Sequence, residues 1–98
     1  MTIEIKRSSM ETTIKVVGRL DLVTAPVLGK MIDQNSRNAE NIVLELSGLE
    51  SISDAGIRVL LGANEKIRPT GTFKLIGVGN NVMESLKTSG CADVLAIN

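Results

Sequence analysis

The sequence predicts an α/β domain, a mixed sheet of four or five strands packed against three helices. Three observations carry that expectation. Short apolar or alternating runs take turns with amphipathic stretches in the order strand, strand, helix, strand, helix, strand, helix, strand, and parallel strands need crossovers of this kind. The first two strands are joined by only a short polar turn, which makes them an antiparallel hairpin at the edge. Apolar residues make up 43% of a 98-residue chain, enough for one core and one domain over 1–98 but not for two.

Each element has its own reason. Ile3 and Ile5 alternate with Glu4 and Lys6, the period of a half-buried strand. Ser8-Ser9-Met10-Glu11 reads as the turn, residues 13–17 as the second strand, and Gly18 as its end. Thr24 is an expected N-cap, with Pro26 tolerable only in the first helical turn because it lacks an N–H. Val27, Leu28, Met31 and Ile32 then recur at helical spacing to about Ser36, and residues 35–41 are polar enough for a loop.

Residues 42–46 (IVLEL) are nearly continuous apolar, as a central strand requires. Ser47-Gly48 breaks this run. A second helix is expected from Asp54, with Ile57, Leu60, Leu61 and Ile67 on one face and Pro69 and Gly71 as its stop. Residues 72–76 form the next strand. Gly77-Val78-Gly79 is a turn, Asn80 or Asn81 the cap of a third helix carrying Val82, Met83 and Leu86, and Gly90 its close. Residues 94–97 make a last short strand.

Composition excludes several functions. The chain has no His, so no Ser-His triad and no His general base or metal ligand can be built. Eleven basic residues balance eleven acidic ones, and a single Phe is the only aromatic residue. Neither the positive field nor the stacking platforms of a nucleic-acid binder are present. No segment approaches membrane-spanning length, so direct insertion is not expected. Cys91 has no second cysteine to pair with, which fits a cytoplasmic, reducing setting. No cofactor and no metal are implied, and without a nucleophile–base pair the chain is not expected to be an enzyme.

Two look-alike motifs fail on inspection. Gly77-Val78-Gly79 lacks the third glycine of a dinucleotide turn, Val82 standing in its place. Asp54 lacks the acidic cluster and late lysine that a phospho-accepting receiver needs to hold Mg²⁺. Cys91, between Gly90 and Ala92, reads as a small buried cysteine.

The segment 44–61, LELSGLESISDAGIRVLL, is the most informative. It runs from strand through loop into helix, and at Ser53-Asp54-Ala55-Gly56 the helix start exposes free N–H groups that suit a negative charge. Asp54 supplies one. Taken alone, Asp54 is a good N-cap.

That segment and the earlier Gly18-Arg19-Leu20-Asp21-Leu22-Val23-Thr24-Ala25 together resemble the STAS family, specifically the bacterial anti-sigma-factor antagonists. The family's Gly-x-Leu-Asp-x-x-Thr-Ala precedes the first helix, and its Asp/Ser-Ser-x-Gly-Leu/Ile opens the second. The apolar run and glycine that follow are matched by Val59-Leu60-Leu61-Gly62. The resemblance implies a partner switch: the antagonist binds an anti-sigma factor that is also a serine kinase of the GHKL-type ATPase fold, is phosphorylated on the serine two residues before the motif glycine, and is reset by a serine phosphatase. Here that position is Asp54, and Ser53 stands where the family often has Asp. Asp54 is then a built-in phosphomimic, Ser53 a displaced acceptor, or the module is unregulated.

The expected partner surface is the loop 51–55, with Ser51, Ser53, Asp54 and Ala55, plus Gly56, Arg58 and Gly62 of the second helix. Asp21 should border it, or else brace its own turn. Gly62 in mid-helix is either tolerated or lets a partner approach closely. The class usually adds a helix after the last strand, and this sequence ends at Asn98. The competing expectation is a STAS subunit of a membrane transporter or a stress-signalling assembly, without phosphorylation switching.

Overall fold

The computed structural model describes residues 1–37 and 41–98, so positions 38–40 of the expected loop 35–41 lie outside the described residues. Six strands and three helices follow in the order β1 (Thr2–Arg7), β2 (Glu11–Leu20), α1 (Ala25–Ser36), β3 (Asn41–Glu45), β4 (Leu49–Ile52), α2 (Asp54–Ile67), β5 (Thr72–Ile76), α3 (Asn80–Thr88) and β6 (Ala96–Ile97). The strands run β1-β2-β3-β5-β6 across the sheet, with β4 attached to β2. Only β1–β2 is antiparallel, and the remaining pairings are parallel. The expected α/β class with an antiparallel edge is what forms.

Alternation explains which face is covered. Ile14 and Val16 of β2, Ile42 and Leu44 of β3, and Phe73 and Leu75 of β5 are almost fully buried. They join one cluster with Leu28 and Ile32 of α1, Ile57, Leu60 and Ile67 of α2, and Val82 and Leu86 of α3. Such a cluster dominates the stability of a small domain. The opposite sheet face carries Glu4, Lys6, Thr13, Lys15 and Glu45.

Three expectations are corrected. Gly18 does not end the second strand: its φ of 113° is open to glycine, and the chain continues to Leu20 to pair with β4. β4 itself was not expected. It is a strand of four residues with only Leu49 and Ile52 buried, too short to show a period. Its register advances two residues while β2 advances one, from Gly18↔Leu49 to Arg19↔Ser51, so Glu50 is the extra residue of a β-bulge. The last strand is shorter than 94–97, since Val94 is exposed and only Ala96–Ile97 pair with β5.

The helix caps also differ from expectation. Thr24 is the N-cap residue of α1, as expected, but its hydroxyl makes no capping bond: it accepts the Asp21 N–H at 2.9 Å and donates to the Arg19 carbonyl oxygen at 2.8 Å. Gly79, not Asn80 or Asn81, is the N-cap of α3. Leu61 and Met83 are half-buried at the rim of their helices. Asn35 is no loop residue: it sits buried near the end of α1, donates from Nδ2 to the Met31 carbonyl at 2.7 Å and accepts from Arg7. Cys91 is buried, as expected.

Candidate functional site

The site is assembled where the continuation of β2 meets the end of β4. Ser53 N–H donates to the Leu20 carbonyl at 2.8 Å, which sets the turn beginning at Asp21 beside the start of α2. Within that turn Asp21 Oδ1 accepts from the N–H groups of Val23 and Thr24, both at 2.9 Å. Those bonds, led by the Thr24 N–H, hold the Asp21 carboxyl below its ordinary value. Bracing of the turn is therefore a role Asp21 performs, and its exposed carboxylate keeps a negative charge at this end of the sheet.

At α2 the sequence order Ser-Asp divides two tasks. Ser53, in extended conformation, is the N-cap, and its Oγ accepts from the Gly56 N–H at a long 3.4 Å. Asp54 is the first helical residue, exposed, where its charge complements the helix dipole. The expectation that Asp54 is itself the cap is thus corrected: the hydroxyl takes the cap and the carboxylate is left projecting beside it.

Of the other expected surface residues, Arg58 and Gly62 are exposed and Ala55 is half-buried. Ser51 lies in β4 and not in a loop, paired with Arg19. Gly56 is not a contact surface. It is buried, and a Cβ built there would meet Ile52 Cγ1 at 2.8 Å and Leu20 Cγ and Cδ2 at 2.9 Å. The motif glycine lets α2 begin in direct contact with β2 and β4. Gly62 differs: a Cβ there has nothing within 4 Å, and the residue lines a groove between α1 and α2 with Gly29 and Val59.

The structure adds residues that sequence reasoning missed. A groove of about 520 Å³ opens between the start of α2 and α3, lined by Ser53 and Asp54 on one side and by Asn81, Glu84, Ser85 and Thr88 on the other. Asn81, expected as a cap, instead donates from Nδ2 to the Glu50 carbonyl at 2.8 Å, the carbonyl of the bulged residue. Next to Asp21, Leu22 and Val23 are 78% and 79% exposed, an apolar pair in a tight turn whose sequence signal was visible but not read. Among the described residues no three His, Cys, Asp or Glu side chains come together as metal ligands, and no helix is long and apolar enough to cross a membrane.

Similarity to known proteins follows the same geometry. No protein of curated function matches the chain. Among solved structures, an anti-sigma factor antagonist from Mycobacterium paratuberculosis is similar with a TM-score of 0.89 at 22% identity, over 98% of this chain and 83% of that one. An anti-sigma-factor antagonist (STAS) domain protein from Planctomyces limnophilus gives 0.83 at 16% identity, over 97% and 87%. The Bacillus cell fate determinant SpoIIAA in its phosphorylated form gives 0.75 at 14% identity, over 99% and 91%. At such identities the likeness is one of fold. The family model described as Mlab, STAS domain, matches residues 3–96, and the chain belongs to the STAS domain family.

Proposed function

We propose that the chain is an anti-sigma-factor antagonist whose switch position carries a permanent charge. Its partner is an anti-sigma factor with serine kinase activity, of the GHKL-type ATPase fold, and the binding surface is Asp21, Leu22, Val23, Ser53, Asp54, Ala55, Arg58 and Gly62. The observation that carries the reading is the exposed Asp54 at the first helical position, beside a turn with two exposed apolar side chains. The family's regulatory serine falls at this place in the motif. A phosphate would bring −1.5 to −2 charges there, and Asp54 brings one without a kinase. The domain is accordingly held part-way toward the released state, and a serine phosphatase has nothing to reset. Ser53 is the weaker acceptor, because its oxygen is turned back onto the Gly56 N–H and the residue is half-buried.

The test is binding to the anti-sigma factor/serine kinase encoded with the chain, with ATP present, followed by intact mass. The native protein should bind weakly and gain no phosphoryl group. Asp54→Ser should bind about tenfold more tightly before phosphorylation and then gain one phosphoryl group. Phosphorylation of the native chain would overturn the phosphomimic, and failure of both proteins to bind any anti-sigma factor would overturn the role.

A second reading is favoured by the same residue. Asp54 has no hydroxyl, so a STAS subunit of a membrane transporter or stress-signalling assembly, which needs no phosphorylation switch, also fits. Affinity capture that recovers transporter subunits and no anti-sigma factor would select it.

A further inference from the structure

We propose that β1 is a self-recognition edge, through which two copies of this chain pair antiparallel about Ile5 into one continuous sheet. β1 is the outer strand of the sheet, and the phase of its backbone is fixed. Ser8 N–H donates to the Glu11 carbonyl at 2.8 Å, so the even residues of β1 turn their N–H and C=O toward β2. Direction alternates along a strand, so Ile3, Ile5 and Arg7 turn theirs outward. The partner strand shows the matching phase, since Gly18 N–H points the other way, to the Gly48 carbonyl.

An incoming strand must satisfy two conditions. Its outward backbone groups must meet the odd residues, and its side chains must match the two faces. A second β1 meets both when Ile5 faces Ile5, because Ile3 then faces Arg7 in a second hydrogen-bonded pair on each side. In that register Glu4 of one copy stands opposite Lys6 of the other, twice by symmetry, on the polar face. A slip of two residues either way sets Glu4 against Glu4 or Lys6 against Lys6. Opposite charges directly across a strand pair attract and like charges repel, so the sequence T-I-E-I-K-R selects one register.

The monomer leaves both the charges and the apolar residues ready for such pairing. The only ion pair among the described residues is Lys66–Asp33, so neither Glu4 nor Lys6 has an ion-pair partner among them. Ile3 and Ile5 are packed on the core but only half-buried, and a neighbouring strand would cover their remaining surface. Exposed edges are otherwise a liability, and charges often serve to block them. Here the charges are complementary under a two-fold axis instead. No residue of the proposed switch surface takes part, so this inference and the proposed function can each fail alone.

Sedimentation equilibrium of the full chain across a concentration series and at low and high salt tests the idea. The native 10.4 kDa chain should show a reversible monomer–dimer equilibrium that salt weakens. Lys6→Glu should weaken the dimer by about tenfold or more, because both cross-copy pairs become repulsive. Glu4→Lys should do the same, and the double variant E4K/K6E should return the dimer constant to the native one. Circular dichroism checks that each variant is folded, needed most for Glu4→Lys, which sits opposite Lys15. A native protein that stays at monomer mass, single variants without effect, or a double variant that does not recover would each overturn it. The first of those outcomes would mean that Glu4 and Lys6 guard the edge.

Discussion

The backbone N–H of Ser53 rests on the carbonyl oxygen of Leu20, 2.8 Å away. Through this one bond the turn that carries Asp21 and the helix start that carries Asp54 share a position. Displacing either loop alone would break this bond, and both are anchored at the far end of β2.

The two glycines of α2 should respond oppositely to alanine. Gly56→Ala forces a methyl against Ile52 and Leu20 at under 3 Å and should cost about 1–3 kcal/mol by overpacking. Gly62→Ala meets no atom within 4 Å and should stabilise by up to about 1 kcal/mol through helix propensity. Urea unfolding of both variants checks the sign.

Asp21 should make stability depend on acidity. Its carboxyl is lowered from 3.8 by the Thr24 and Val23 bonds, so its contribution is present above that value and is lost as pH falls through the lower folded one. Asp21→Ala should be less stable than the native chain at neutral pH. The gap should close below pH 3.8 as the native carboxylate takes up its proton. Thermal melts of the two proteins along a pH series would show it, and a constant gap would count against the turn bonds as the cause.

Ser53 and Asp54 should separate as cap and charge. Ser53→Ala removes the cap and should cost about 0.5–1 kcal/mol, toward the low end because the bond to Gly56 N–H is long. Asp54→Asn should destabilise only at low ionic strength, since an exposed charge at a helix end is screened by salt. Denaturant midpoints at two salt concentrations distinguish them.

Asn64 marks an unused opportunity in the core stripe of α2. It is 8% exposed, and its Oδ1 has no hydrogen-bond partner among the described residues. Asn64→Leu should raise stability by about 1 kcal/mol with an unchanged denaturant slope, because a desolvated, unpaired acceptor is replaced by an apolar group of similar size.

Much of this was legible in the chain. The alternation of Ile3 and Ile5, the apolar run at 42–46 and the helical spacing of Ile57, Leu60 and Ile67 are local patterns, and each became the expected element. What was not legible depends on a neighbour. β4 has two inward residues and no period, so only the extension of β2 past Gly18 defines it. Asp54 looked like a cap because Asp is a good one, but Ser53 precedes it and takes the position. Gly56 looked like part of a surface, whereas Leu20 and Ile52, distant in sequence or hidden in the unseen strand, enclose it. Asn81 was read for its capping chemistry, and its true acceptor belongs to another element.

That acceptor is the carbonyl of Glu50, the surplus residue of β4, which has no opposite number on β2. The irregularity therefore doubles as a mooring for α3, the far wall of the groove beside Asp54. It also imposes a length rule on the loop-side half of the molecule. Deleting Glu50 would give β4 a regular ladder with Leu49 and Ile52 still on the covered face, and it would remove the carbonyl to which Asn81 of α3 is tied. The bond uses the backbone of the bulged residue, so its side chain is free to change, whereas losing the residue itself would take away this tie between β4 and the groove's far wall.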